Sequence, residues 1–172
     1  MFLFSGGGCH LRLIHFFLHP PETYNTLMPR RYPSLPIVGV GAVILRGREV
    51  LIVRRANPPL QGEWSIPGGV LELGEKLRDG IAREVFEETG LVVEVGPVLD
   101  VIDSIFPDPE GRTQYHYVLI DYLCHLRSGT PEAATDVSEI RWVTMDELAT
   151  LGMKTVTIEV IAKALHSAST NR

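Results

Sequence analysis

Three glutamates, Glu84, Glu87 and Glu88, stand at positions i, i+3 and i+4. On a helix that spacing places them on one face, where like charges repel by roughly 0.2–0.5 kcal/mol per pair. They also fall in the last two turns of the helix expected here, where its dipole disfavours negative charge. Such a cluster is either a solvated acidic face or a site for a cation. Hard oxygen ligands suit Mg²⁺ or Mn²⁺, and Mg²⁺ normally completes its shell with water and substrate phosphates. The bare Glu-x-x-Glu-Glu pattern favours the solvated face, and its flanks shift the balance. Arg83 precedes Glu84 and can pair with Glu87 or Asp79 to orient a carboxylate. Pro67-Gly68-Gly69, just upstream, lets backbone approach a ligand closely.

These residues need a scaffold, and the chain pattern supplies one. A helix is predicted over residues 75–89, opened by Glu75 after Gly74. Leu77, Ile81 and Val85 recur every four residues as its buried face. Gly90 suits the left-handed position that ends a helix. Residues 37–45 and 49–55 read as strands joined by the Arg46-Gly47-Arg48 turn. Two long strands follow over residues 91–105 and 113–126, separated by a Pro-, Asp- and Gly-rich stretch over 106–112. A short strand over 140–144 and a helical turn over 146–151 come next. A last helix over 156–168 has Val156, Val160, Ile161, Ala164 and Leu165 on one face. Strands and helices mix without strict alternation, so the expected class is α+β, or a sandwich built on a mixed sheet.

The chain of 172 residues fits one domain with a core of its own. Hydrophobic residues are 45% and charged residues 22%, the balance of a globular chain, not a disordered one. A net charge of -5 argues against binding a nucleic acid polymer through its phosphates. No apolar run approaches the ~20 residues of a membrane span. The start, rich in Phe and Leu, is interrupted by Gly6-Gly7-Gly8 and histidines and lacks a basic leader, so it makes a poor signal peptide. Residues 1–35 read as a weakly structured extension and 36–168 as the domain. Met28 is an alternative start just before the domain begins. The two cysteines, Cys9 and Cys124, form no paired framework, which suits a reducing cytoplasm. Cys124 reads as a small buried hydrophobe.

Taken together, Gly69, Glu75, Arg83, Glu84, Val85, Glu87, Glu88, Gly90 and Leu91 fill every defined position of G-x5-E-x7-R-E-U-x-E-E-x-G-U, where U is apolar. The chain thereby resembles the Nudix hydrolases, MutT-like proteins, over about residues 36–165. The resemblance implies a Nudix α/β/α sandwich with a mixed sheet. It implies that Glu84, Glu87 and Glu88 ligate a divalent metal, Mg²⁺ or Mn²⁺, with the Gly69 carbonyl as a further ligand. It implies a salt bridge between Arg83 and Glu75 that holds the loop and helix together. Water would then attack a phosphorus of a diphosphate. The base is left open among Glu84, Asp108, Glu110, Asp136 and Glu139, because family members differ.

Substrate contacts are candidates of the residue types alone. Arg54 and Arg55 end the second strand near the box and could hold phosphate. Phe106, Tyr115 and His116 lie in or beside the stretch between the long strands, where a base or sugar could be gripped. Trp64 and Trp142 read as scaffold and core. Pro107 lies sixteen residues past Leu91, the position of a proline marker in the ADP-ribose pyrophosphatases of this family. The resemblance therefore leans to ADP-ribose or a related nucleotide sugar, a small-molecule nucleoside diphosphate derivative, giving AMP plus a sugar phosphate. One alternative is a sanitising hydrolase of oxidised nucleoside triphosphates. Another is a nucleotide-sensing domain without catalysis. Proteins of this type are often homodimers, and no interface is legible in the residues.

Overall fold

The structure is a computed structural model, described for residues 29–170 apart from Pro59 and Thr135. The expectations for residues 1–27 and for Met28 lie outside the described residues. β1 (Ile37–Arg46) is buried on both faces through its middle, as its unbroken apolar run requires. It pairs in parallel with β6 (Thr113–Ser128), from Ile37 opposite Tyr117 to Ile44 opposite Cys124. β5 (Val92–Pro107) lies antiparallel to β6. The start of β1 carries β4 (Gly68–Val70), and its end turns through Gly47-Arg48 into β2 (Glu49–Arg55). β2 is flanked by β3 (Trp64–Ser65) and β7 (Val137–Val143). The sheet is thus mixed, in the order β3-β2-β1-β6-β5, with β4 on β1 and β7 on β2.

The alternation of β1 divides the core. Val40, Ala42 and Ile44 face α1 (Leu77–Thr89) and pack with Ile81, Val85 and Leu91. Val43 faces the other way, with Ile52, Ile66 and Leu123, under α2 (Met145–Leu148) and α3 (Thr155–Thr170). Val160, Ile161 and Ala164 of α3 are fully buried there. Helices on both faces of a mixed sheet give the expected α/β/α sandwich.

Several boundaries differ from the sequence pattern. The box helix starts at Leu77 after Lys76, so Glu75 precedes it. The reason is that the Glu75 carboxylate turns back to accept from the Glu72 N–H, closing the loop before the helix. β5 runs on through Phe106 to Pro107, leaving a tight turn where residues 106–112 suggested a loop. β7 begins three residues early at Val137, because β2 offers partners down to Arg55. α2 ends sooner, at Leu148, after Glu147 accepts from the Thr144 N–H and hydroxyl at its start. Val156 opens α3 exposed, while the rest of its apolar face is covered. Part of the expected extension is tied down. The Tyr32 hydroxyl donates to Asp108, and its N–H to the carbonyl of Gln114.

Candidate active site

Gly68 and Gly69 are the platform of the site. Gly68 has φ 146, open to glycine, and a Cβ there would meet the Val40 carbonyl at 2.1 Å. A Cβ on Gly69 would lie 2.3 Å from the Glu84 carboxylate. The acidic helix face can therefore come down onto bare backbone. α1 reaches it by ending cleanly. Gly90 takes the left-handed conformation, φ 69, and its N–H bonds the Phe86 carbonyl.

The three glutamates of α1 are not equivalent. Glu88 is 3% exposed and accepts from the Gly68 N–H at 2.8 Å. The Arg55 guanidinium pairs with Glu88 and also donates to the Gly68 carbonyl. Burial pushes the Glu88 carboxyl up to about 7, against the pull of Arg55 and the Gly68 N–H. Neighbouring Glu84 and Asp136 push it in the same direction as burial. Glu84 is also held above the usual carboxylate range by burial, with Arg83 opposing. Glu87 is the outermost, with more than half of its side chain exposed.

Arg83 organises this face. It clasps Glu75 in a fork, Nε to Oε1 and Nη2 to Oε2, each at 2.9 Å. The same guanidinium donates to Glu84 at 2.9 Å, to Glu87 at 3.0 Å and to the Val70 carbonyl. The bridge between Arg83 and Glu75 implied by the resemblance is present, and the guanidinium is held firmly protonated by it. The Glu75 carboxyl is lowered by Arg83. Asp79 takes no part in the fork.

The other sequence candidates separate. Arg54 donates to the Gly62 carbonyl at 3.0 Å and lies 4.0 Å from Glu139, at the outer edge of β2. Arg55 points to the box, but its guanidinium is engaged by Glu88, so it orders a carboxylate instead of offering a free fork. Asp136 stands beside Glu88 and accepts from Asn57 at 2.7 Å. Asp108 and Glu110 belong to the β5–β6 turn. Asp108 is buried there, and hydrogen bonds from Arg112 and Tyr32 outweigh that burial to hold its carboxyl at about 2. Glu139 pairs with Arg141. Of the five base candidates, only Glu84 and Asp136 stand at the box.

Phe106 and Tyr115 meet edge to face, with ring centroids 6.3 Å apart, and Tyr115 stacks on Tyr117 at 6.5 Å. They form an aromatic row on the α3 face of the hairpin. His116 follows the alternation to the opposite face. Lys154 lies 4.4 Å from the Phe106 ring centroid and 3.8 Å from Glu63, bridging the row to the segment before β3. Trp64 is scaffold, half-buried against the core under Arg141. Trp142 is a half-buried core margin beneath Arg46. Sequence reasoning missed Lys154, because it belongs to no local motif. A cavity of about 340 Å³ lined by Leu45, Pro97, Leu123 and Ser167 lies at the far end of α3, away from all of these.

The α/β/α sandwich and the arginine-held acidic helix over a Gly-Gly platform define a pyrophosphohydrolase class of site. The chain belongs to the Nudix family: the NUDIX domain model matches residues 35–164. An ADP-ribose pyrophosphatase of Methanocaldococcus jannaschii is 32% identical over 116 residues, 67% of this chain and 66% of that protein. A Mycobacterium tuberculosis protein that carries the name of an 8-oxo-dGTP diphosphatase is 41% identical over 114 residues, 65% of this chain and 75% of that one. The crystal structure of a MutT NUDIX hydrolase from Burkholderia pseudomallei superposes with a TM-score of 0.67 at 30% identity, covering 76% of this chain and 98% of that one. Among the described residues no helix is long and apolar enough to cross a membrane.

Proposed function

We propose that this chain hydrolyses the diphosphate linkage of a nucleoside diphosphate joined to a second group, with ADP-ribose or a related nucleotide sugar as substrate and Mg²⁺ or Mn²⁺ as cofactor. The observation that carries the reading is the pair of Glu84, half-buried, and Glu88, buried, side by side on Gly68-Gly69 with positive charge pressed against them. Two desolvated carboxylates there are costly unless a cation attends them. Hard oxygens from Glu84, Glu87 and Glu88, with the Gly69 carbonyl, fit a hard divalent ion. Among the described residues the three carboxylates are not gathered into one ready cluster. Glu87 would turn in from solvent to complete the set.

When bound, the metal supplies Lewis-acid stabilisation of phosphoryl charge and lowers the pKa of its water. The chain's own residues position the rest. Arg83 fixes Glu75, Glu84 and Glu87 in one geometry, and Arg55 fixes Glu88 against the Gly68 N–H. A water oxygen would bond to phosphorus while the bridging P–O bond breaks, and its proton would pass to a carboxylate, Glu84 or Asp136. The products are AMP and a sugar phosphate. The free, buried thiol of Cys124 suits a cytoplasmic setting for this chemistry.

The lean towards ADP-ribose is supported by the archaeal relative's name and by Pro107 at the end of β5, beside Phe106. A second reading, a sanitising hydrolase of oxidised nucleoside triphosphates, is favoured by the mycobacterial relative. Turnover of ADP-ribose and of 8-oxo-dGTP, each with Mg²⁺ and with Mn²⁺ and scored by product, tests the choice. A clear preference for ADP-ribose is expected. Preference for the triphosphate overturns it, and no metal-dependent turnover across a broad panel points to a sensor.

A further inference from the structure

Asp121 of β6 is 5% exposed, its carboxylate accepts no hydrogen bond from the described residues, and its oxygens are not fully sealed from solvent. Its Oδ1 lies over Gly41 on β1, 2.2 Å from where a Cβ would stand, with Ile66 on the other side of that point. Glycine at 41 makes room for the carboxylate. The groups facing it are few. Asp100 lies opposite on β5, and Lys163 of α3 is paired with Asp100. Gly41 and Ile66 are apolar neighbours. A buried carboxyl with no internal donor costs stability, and such groups collect where a ligand supplies the missing partner.

Asp121 has a place beside the proposed site. Its register partner Gly41 is also the partner of Gly68, two strand spacings away, about 10 Å. The short segment from Trp64 through Val70 carries Ile66 at one end, against Asp121, and Gly68-Gly69 at the other, against the box carboxylates. Along the same face of β5 and β6 run half-buried Ile102, Ser104 and Leu119, then the Phe106–Tyr115–Tyr117 row. Apolar and aromatic surface leading to one convergent polar group is the pattern of a small-molecule pocket.

We propose that Asp121 is a specificity-determining residue that accepts a hydrogen bond from an N–H on the edge of the bound nucleobase, the exocyclic amine in the case of adenine. This rests on the reading of the chain as a hydrolase of an adenine-containing nucleotide. The phosphates lie at Glu84 and Glu88 on the α1 side, and the nucleotide passes round β4 at Gly68-Gly69 so that the base reaches Asp121 beside Ile66 on the α3 side. A base with a carbonyl oxygen in place of the amine sets acceptor against acceptor, which a buried site rejects strongly.

The test compares wild type, Asp121→Asn and Asp121→Leu with ADP-ribose and inosine diphosphoribose, which differ at that purine position. Binding of AMP and IMP by calorimetry gives an independent arm. Wild type should favour ADP-ribose in kcat/KM by about 10-fold or more, mainly through KM. Both variants should bring that ratio towards one, with kcat for ADP-ribose changed by less than about twofold. Without ligand, both variants should melt no lower than wild type, since no internal bond is lost. A ratio unchanged in both variants, or no AMP/IMP discrimination in wild type, overturns the proposal. So does a lower melting temperature in both variants, which would show that the carboxylate has a structural partner. If wild type fails to turn over ADP-ribose yet separates AMP from IMP through Asp121, the substrate reading falls and this proposal stands.

Discussion

On the α1 face of the sheet, Glu84 is half-buried and Glu88 buried, with Arg83 and Arg55 in reach. On the α3 face, Asp121 is buried with no ion pair or hydrogen-bond donor to its carboxylate among the described residues. One face carries an over-connected acidic network and the other a solitary carboxyl. A network of shared hydrogen bonds fixes geometry, because each arginine holds several acceptors at once. A buried acceptor without an internal donor fixes nothing within the protein, and the partner proposed for it comes from outside. The contrast separates positioning for chemistry from waiting for recognition.

The largest break in this comparison is expected from Glu88→Gln. It keeps the shape and the Gly68 bond but removes the charge that pairs with Arg55. Metal-dependent kcat should fall by about 100-fold or more, with the fold intact by circular dichroism. Retained turnover would show that Glu88 is structural. Arg83→Lys comes next. Lysine offers a point charge where the fork to Glu75 needs a planar one, so kcat should fall by roughly 10–100-fold. An effect confined to thermal stability would confine Arg83 to scaffold.

The solitary carboxyl should show itself in stability against pH. Burial, with Asp100 adding, pushes the Asp121 carboxyl from 3.8 up to about 6. The folded state therefore holds this proton more tightly than the unfolded state. Its contribution is fully present below about pH 3.8 and is lost as pH rises through about 6. The two values differ by about 2, which corresponds to ~3 kcal/mol. Denaturant midpoints from pH 4 to 7 should fall for wild type and stay flatter by this amount for Asp121→Asn. Equal slopes would mean that Asp121 ionises as freely as in water. The smallest effect belongs to Lys154→Met. Loss of its partly exposed contact with Phe106 and Glu63 should change stability by less than about 1 kcal/mol, while KM for the nucleotide rises. An unchanged KM would remove Lys154 from the pocket.

How much could be read in advance depends on how local the cause is. The box helix was legible because its four-residue apolar steps, the Gly90 stop and the Glu–Arg–Glu spacing lie within one short segment. The hairpin of β1 and β2 was legible for the same reason. Helix and strand ends were less so. Glu75 left the helix because its carboxylate turns back to the Glu72 N–H and is held by Arg83, eight residues on. β7 lengthened because β2, distant in sequence, offered it partners.

The sequence by itself determined that a helix with three acidic residues on one face exists, with a glycine turn before it and an arginine within it. Periodicity and spacing act over a few residues, so they survive without knowledge of the fold. Only the tertiary structure decided which carboxylates are buried, that Arg55 serves Glu88, and that Asp121 lies over Gly41 with no donor among the described residues. Burial and pairing of those groups arise from strand register across β1, β4 and β6. Register joins residues tens of positions apart, and no local pattern encodes it.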